Sequence, residues 1–261
     1  MLNNIKSKII LNIVFDKLKR QIKLKILKYN KFLQNRLYIN INDFHDFHLV
    51  KELNEKFNLN IENDYVERIN LYYRKFGDEI LDYFNKIEFK KLKELNLSLN
   101  NLSDINQLEK AKLENLKILD LGDNRIKDIS ILEKVNFKEL KELYLYNNGI
   151  SDIKILEKVK FEKLELLNLS HNNLTNIGVL GKVNFKELKI LNLFDNNISD
   201  IEILGKVQFP KLEMLYLNKN KIDTIKYSKI ISQLQSKIKD FKPAKSGYFS
   251  WINPFPKIFG S

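Results

Sequence analysis

From residue 89 to residue 225 the chain repeats itself every 24 residues. Asn100, Asn124, Asn148, Asn172, Asn196 and Asn220 stand in register. So do Leu97, Leu121, Leu145, Leu169, Leu193 and Leu217, and the column that runs from Leu95 to Leu215. Two residues past each Asn comes Leu102, Ile126, Ile150, Leu174, Ile198 or Ile222, and three further on Ile105, Ile129, Ile153, Ile177, Ile201 or Ile225. An aromatic column follows at Phe89, Phe137, Phe161, Phe185 and Phe209, with Leu113 in the same slot. A catalytic site needs its residues once. A pattern written over and over predicts stacked coils, each too small to bury its own apolar side.

Within each copy Leu-x-Leu alternates with period two, which predicts a short strand with one buried face. Stacked on the next copy at about 4.8 Å, it extends a parallel sheet with a continuous core behind it. The Asn follows the strand, where an apolar residue would be easier to bury. Its amide can satisfy backbone groups that no neighbouring strand reaches. Ile129, Leu132, Val135 and Phe137, separated by Lys and Glu, predict helical turns on the return path, with the Phe closing the core.

The string Leu116-x-x-Leu119-x-Leu121-x-x-Asn124-x-Ile126 resembles the leucine-rich repeat consensus, and the other copies match it too. The resemblance implies an α/β solenoid, a curved horseshoe with its parallel β-sheet on the concave face, an Asn ladder, and a protein partner held on that face. The cysteine-rich caps of extracellular members are missing, so the resemblance implies an intracellular protein.

If Leu95 and Leu97 point inward, residues 94, 96 and 98 point outward, and so on through each copy. Tyr144, Tyr146, Phe194 and Tyr216 with Leu166, Ile190 and Met214 then form an exposed apolar and aromatic patch, the composition interface hot spots favour. Asp120, Glu142, His171 and Asp195 complete the expected partner-binding set. Glu94, Asp120, Asp123, Glu142 and Asp195 against Lys219 make the face faintly acidic, which argues against nucleic acid lying in it. The opposing reading is that the chain's own tail or the solenoid itself covers these side chains.

Four segments follow: a helical region over 1–60, a helical cap over 61–88 with one or two helices in 64–86, the repeats over 89–225, and a cap helix (Ile225 to Asp240) plus tail over 226–261. SKIILNIVFDKL, QIKLKILKYN and KFLQNRL read as three short helices. They resemble an F-box: a first helix ending in aromatic-x-x-Leu (Phe15, Leu18), an aliphatic helix, then Lys31 and Leu33. The usual opening Leu-Pro is replaced by Lys6-Ser7-Lys8, and the family's frequent Trp is absent. This resemblance implies an adaptor of a cullin-type ubiquitin ligase, docked through Ile10, Val14, Phe15, Leu18, Leu24 and Leu27. Any plain cap would also show three amphipathic helices. The tail FKPAKSGYFSWINPFPKIFGS holds three of the four Pro and the only Trp. It is too aromatic for a free disordered tail, which predicts that it docks on the solenoid or on a partner.

The net charge of +12 concentrates at the ends: +9 over 1–40 and +6 over 226–261, against −5 over 41–88. Basic ends suit RNA or an anionic membrane, so a structural subunit of a ribonucleoprotein or other large assembly, anchored by those ends, stands as the alternative function. Lys-rich codon usage accounts for the same charge, since only five of the 45 basic residues are Arg, the residue that grips phosphate bidentately. The chain has no Cys, which excludes disulfide frameworks and thiolate metal sites and points away from an oxidising compartment. MLNNIKSKIILNIVF lacks a small-residue cleavage site, and no apolar run approaches the roughly 18 residues of a membrane span. The expected location is the cytoplasm, with the nucleus second. His45-Asp46-Phe47-His48 finds no further ligand cluster, and Gly178-Val-Leu-Gly181-Lys182 has the wrong spacing for a phosphate loop. No nucleophile and base converge in the repeats. The expectation is a protein without enzyme activity, cofactor or metal.

Overall fold

A computed structural model describes residues 42–62 and 64–243. The three helices expected over 1–40, the adaptor-docking set Ile10, Val14, Phe15, Leu18, Leu24 and Leu27, and the tail beyond Pro243 lie outside the described residues. The chain divides into two units, Met1–Asp64 and Tyr65–Ser261. In the first, helix α1 (Asn42–Phe57) buries Val50 and Leu53. Asn58 ends it at φ 51°, the left-handed conformation an Asn tolerates after a helix. Asn54 then ties the exit, its amide donating to the Ile61 carbonyl at 2.8 Å and accepting the Ile61 N–H at 2.9 Å.

The second unit is one parallel sheet of eight strands in chain order, each three residues long. They are β1 (Arg68–Asn70), β2 (Glu94–Asn96), β3 (Ile118–Asp120), β4 (Glu142–Tyr144), β5 (Leu166–Asn168), β6 (Ile190–Asn192), β7 (Met214–Tyr216) and β8 (Asp240–Lys242). From β2 to β7 the register places each residue against the one 24 positions on, as Leu95 against Leu119 and Leu191 against Leu215. The return path is a short 3₁₀ turn per coil, for instance Ser130–Glu133 and Lys154–Glu157. Side chains that the apolar columns do not include start these turns. Asp104, Asp128, Asp152, Asn176 and Asp200 each accept the backbone N–H two residues on, at 2.7–2.8 Å. Phe89, Phe137, Phe161 and Phe185 are buried as the column predicts, while Phe209 near the end is half-buried.

The Asn column forms a ladder between coils. Each amide NH₂ donates to a carbonyl of the preceding coil, as Asn148 to Leu121 at 3.0 Å and Asn172 to Leu145 at 2.9 Å. Each amide oxygen accepts an N–H of that coil, as from Ile126 at 2.9 Å and Ile150 at 3.0 Å.

At both ends a strand accompanies the helix expected there. Over 64–86 the chain forms β1 first and only then helix α2 (Leu81–Lys86). Ile69 and Leu71 alternate as Leu95 and Leu97 do, and the Leu71 N–H donates to Asn96 at 2.9 Å, so the sheet edge captures this stretch as a strand. Its offset is 26 residues, Ile69 against Leu95, which hides it from a search at 24. At the far end helix α3 (Ser228–Lys237) leads into β8 rather than ending the fold. The isoleucine column also stops early: Ile105 to Ile201 are buried, but Ile225 is 83% exposed. Tyr227 turns inward instead, its hydroxyl bonded to Asp200 at 3.0 Å. Among the described residues no helix is long and apolar enough to cross a membrane.

Candidate protein-binding face

The strand register brings the outward residues into rows across the concave face. The first row runs Arg68, Glu94, Ile118, Glu142, Leu166, Ile190, Met214, Asp240. The second runs Asn70, Asn96, Asp120, Tyr144, Asn168, Asn192, Tyr216, Lys242. Most of the second row shapes the turn that follows each strand. Asn70, Asn96, Asp120, Asn168 and Asn192 each accept the N–H two residues on, at 2.8–3.1 Å. Tyr144 and Tyr216 replace that acceptor with a ring.

The expected apolar patch is less exposed than strand alternation predicts. Tyr144 and Leu166 are buried, packed with Ile118, Tyr146 and Ile190. Neighbouring strands stand about 4.8 Å apart, so large side chains in adjacent rows cover one another. Ile190 and Tyr146 remain partly open. The Tyr146 ring lies over Gly122, where an added Cβ would fall 2.2 Å from the ring, and its hydroxyl bonds Ser98. Gly122 therefore makes room for Tyr146, a role its position opposite an aromatic would have signalled.

Acids gather on the β2–β4 side. The Tyr144 hydroxyl donates to Glu142 at 2.7 Å. Burial raises the Glu142 carboxyl, opposed by that bond and aided by the negative charges of Glu165 and Glu94. Burial pushes the Asp120 carboxyl up to about 7, against the lowering effect of the Gly122 N–H. Desolvation first, then these acids, drives the Tyr144 and Tyr146 hydroxyls far above the ordinary phenol range. Arg68 answers Glu94 Oε1 at 2.9 Å, while Glu94 Oε2 is buried and meets no hydrogen-bond partner among the described residues.

The C-terminal side carries a second group. His171 Nδ1 lies 3.1 Å from Asp195, its ring edge-on to Phe194 at 5.1 Å, and Lys219 sits over the other side of this group, 5.1 Å from the Phe194 centroid and 3.6 Å from Asp195. Burial lowers the His171 imidazole, with Asp195 opposing. Asp123, Asn147, His171, Asp195 and Lys219 share one backbone position at φ 48–55°, where the chain leaves each strand. Asp and Asn suit that left-handed turn, so part of this row answers to the backbone alone. Further along, Tyr216 reaches Asp240 at 3.1 Å and Met214 Sδ at 3.4 Å, its hydroxyl pushed up to about 12 by burial and then by Asp240. Tyr72 and Tyr73, absent from the expected set, are the exposed rings of the first coil at 53% and 58%. Tyr72 holds the place before Ser98 in the row of Gly122 and Tyr146. The 26-residue offset of β1 concealed it.

A family described as leucine-rich repeats in two copies matches residues 90–134, 138–184 and 186–230. No curated protein matches the sequence. Among solved structures, internalin C2 of Listeria monocytogenes is 22% identical, with 76% of this chain and 93% of that one covered and a TM-score of 0.54. A leucine-rich repeat protein of Leptospira interrogans is 23% identical over 62% of this chain and 51% of that one, TM-score 0.42. The ectodomain of the Arabidopsis thaliana receptor kinase GASSHO1/SCHENGEN3, solved with Casparian strip integrity factor 2, is 25% identical over 60% of this chain and 18% of that one, TM-score 0.45.

Proposed function

From a chain that belongs to the leucine-rich repeat family, we propose a non-catalytic module that binds a protein on its concave face. The observation that carries this reading is the continuous plate of Ile118, Tyr144, Tyr146, Leu166 and Ile190 on the outer side of the sheet. The core of Leu95, Leu119, Leu143, Leu167, Leu191 and Leu215 lies on the other side. An apolar plate between an acidic flank and the Phe194 group has the anatomy of an interface: apolar centre, polar rim. The test is affinity capture by the full chain from its native cells, with mass spectrometry, beside Tyr146→Ala and Phe194→Ala. Partners that vanish from both variants support the module. Partners that survive both place the binding surface elsewhere.

The finer role we propose is an F-box-like adaptor, resting on Phe15, Leu18 and the aliphatic positions through Leu27. Full-length protein would co-purify with a cullin-ligase adaptor in a salt-tolerant way, and Phe15→Ala with Leu18→Ala would abolish it. The basic ends favour one alternative, anchorage in a ribonucleoprotein. Capture would then fall steeply with salt and follow the lysines of residues 1–40 and 226–261.

A further inference from the structure

We infer that the chain's own C-terminal segment, residues 244–261, crosses the concave face and seats its aromatic side chains, Trp251 among them, on Tyr146, Leu166, Ile190 and Phe194. A protein partner then binds by displacing it. The displacement rests on the interaction-module reading; the seat does not.

Three observations carry it. The first is the lie of the apolar plate. In the first row Leu166, Ile190 and Met214 follow one another up to β8, with Phe194 and Tyr216 beside them. Toward β1 the same rows turn to Glu94, Asn96, Arg68 and Asn70. Ile190, Phe194, Met214 and Tyr216 are only half-buried. The plate therefore runs up to the strand from which the C-terminal segment departs. The second is that departure. β8 is parallel to β7, with Lys242 beside Tyr216, so the chain leaves it at the edge of the sheet where Tyr146 and Phe194 stand just past their own strands. After Pro243 there remain 18 residues. Extended at about 3.3 Å each, they reach about 60 Å, and β4 lies four strand spacings away, about 19 Å. The third is composition. The segment holds Tyr248, Phe249, Trp251, Phe255 and Phe259, with two Lys and no acid. Rings this dense favour burial over water. Pro254 and Pro256 lack the N–H a ladder needs, so this stretch offers side chains rather than a further strand. Lys245 and Lys257 suit a face where Glu94, Asp120, Glu142 and Asp195 outnumber Arg68 and Lys219. A tether of this length supplies an effective concentration of about 1 mM. An affinity of only about 0.1 mM then covers the face about 90% of the time and weakens a partner about tenfold.

Trp251 is the only Trp, so its fluorescence reports on the segment without a label. Emission and acrylamide quenching are measured on the full-length protein, on Ile190→Lys and Phe194→Ser in the plate, and on Ile225→Lys, the same change at a site 83% exposed outside the sheet. Circular dichroism checks that each variant folds, and a synthetic peptide of residues 244–261 gives the free reference. Wild-type emission to the blue of the peptide, with quenching several-fold weaker, supports the proposal if both plate variants return to peptide values and Ile225→Lys does not. Peptide-like emission in the wild type overturns it. Protection that both plate variants retain overturns it too, because the segment then sits elsewhere. Protection that grows with protein concentration does the same, because the segment then belongs to a second copy. The labelled peptide is also titrated into full-length protein carrying Tyr248→Ser, Phe249→Ser, Trp251→Ser and Phe255→Ser. It should bind this chain about tenfold tighter than the wild type; equal affinity overturns the proposal. If native partners need Tyr146 and Phe194 but ignore those four serines, the displacement falls while the interaction module stands. If the plate protects Trp251 and no partner depends on Tyr146, the seat stands and the module reading falls.

Discussion

At the scale of single residues, two polar side chains of the repeat behave in opposite ways. Asn172 is buried and spends its whole amide on backbone: donors to Leu145, Leu169 and Ser170 at 2.9–3.2 Å, and an acceptor for Ile150 at 3.0 Å. Asn172→Leu leaves that N–H and those carbonyls unmet, and urea unfolding should show a loss of about 3 kcal/mol. Asn172→Asp keeps the acceptor but sets a charge among carbonyl oxygens, so it should cost more at pH 7 and less at pH 4. Asp120 shows the reverse economy. Its folded carboxyl, near 7, lies above the ordinary value of 3.8, so the folded state holds a proton that the unfolded chain has released. Stability from this group is complete below about pH 4 and falls as pH rises to about 7. Asp120→Asn should therefore match wild type at pH 4 and exceed it by roughly 2 kcal/mol at pH 8, in paired urea titrations. An equal gain at both pH values would mean the buried charge is not the cause.

At the scale of one coil, an identical letter has different worth by position. Ile201 is fully buried between coils and Ile225 is 83% exposed, though both occupy the same column of the repeat. Ile201→Ala should lose about 3 kcal/mol. Ile225→Ala should stay within about 0.5 kcal/mol in the same denaturant series. Tyr227→Phe, which removes the bond to Asp200, should cost about 1 kcal/mol. This contrast marks what sequence periodicity can reveal. Strands β2–β7, the Asn ladder and the Phe column follow from one period, because each copy meets the same neighbours. Where neighbours change, the inference stops. Arg68–Asn70 and Asp240–Lys242 are strands because a sheet edge waits beside them, and neither carries the Leu-x-Leu pair of the others, Ile69 and Phe241 standing where the first Leu would. The candidate site was legible in the same measure. Alternation named its residues, but the burial of Tyr144 under Leu166, and the seat of Tyr146 on Gly122, depend on lateral pairs in different copies.

At the scale of the whole solenoid, stacking makes stability a sum over neighbouring coils, so a coil is removable if the cut respects the period. Deletion of residues 125–148 joins Asn124 to Gly149 with every column kept. It takes out β4 and sets Lys117 beside Glu165, an opposite-charge pair that replaces the present Lys141–Glu165 contact at 2.6 Å. On the return path Glu109 loses Lys134 and gains Lys158, which now pairs with Glu133 at 3.6 Å. The shortened chain should unfold in one cooperative step, with a urea m-value lower by about an eighth, in proportion to the surface it buries. Deleting only residues 125–136 moves Phe137 and Leu140 out of register and should give no cooperative transition. Because the whole coil also holds Glu142, Tyr144 and Tyr146, its removal should abolish capture of any concave-face partner while the fold survives. A 24-residue deletion that keeps its partners would put the binding surface outside the sheet. Circular dichroism and capture on the same preparation separate these outcomes, since the first reads the stack and the second reads the face.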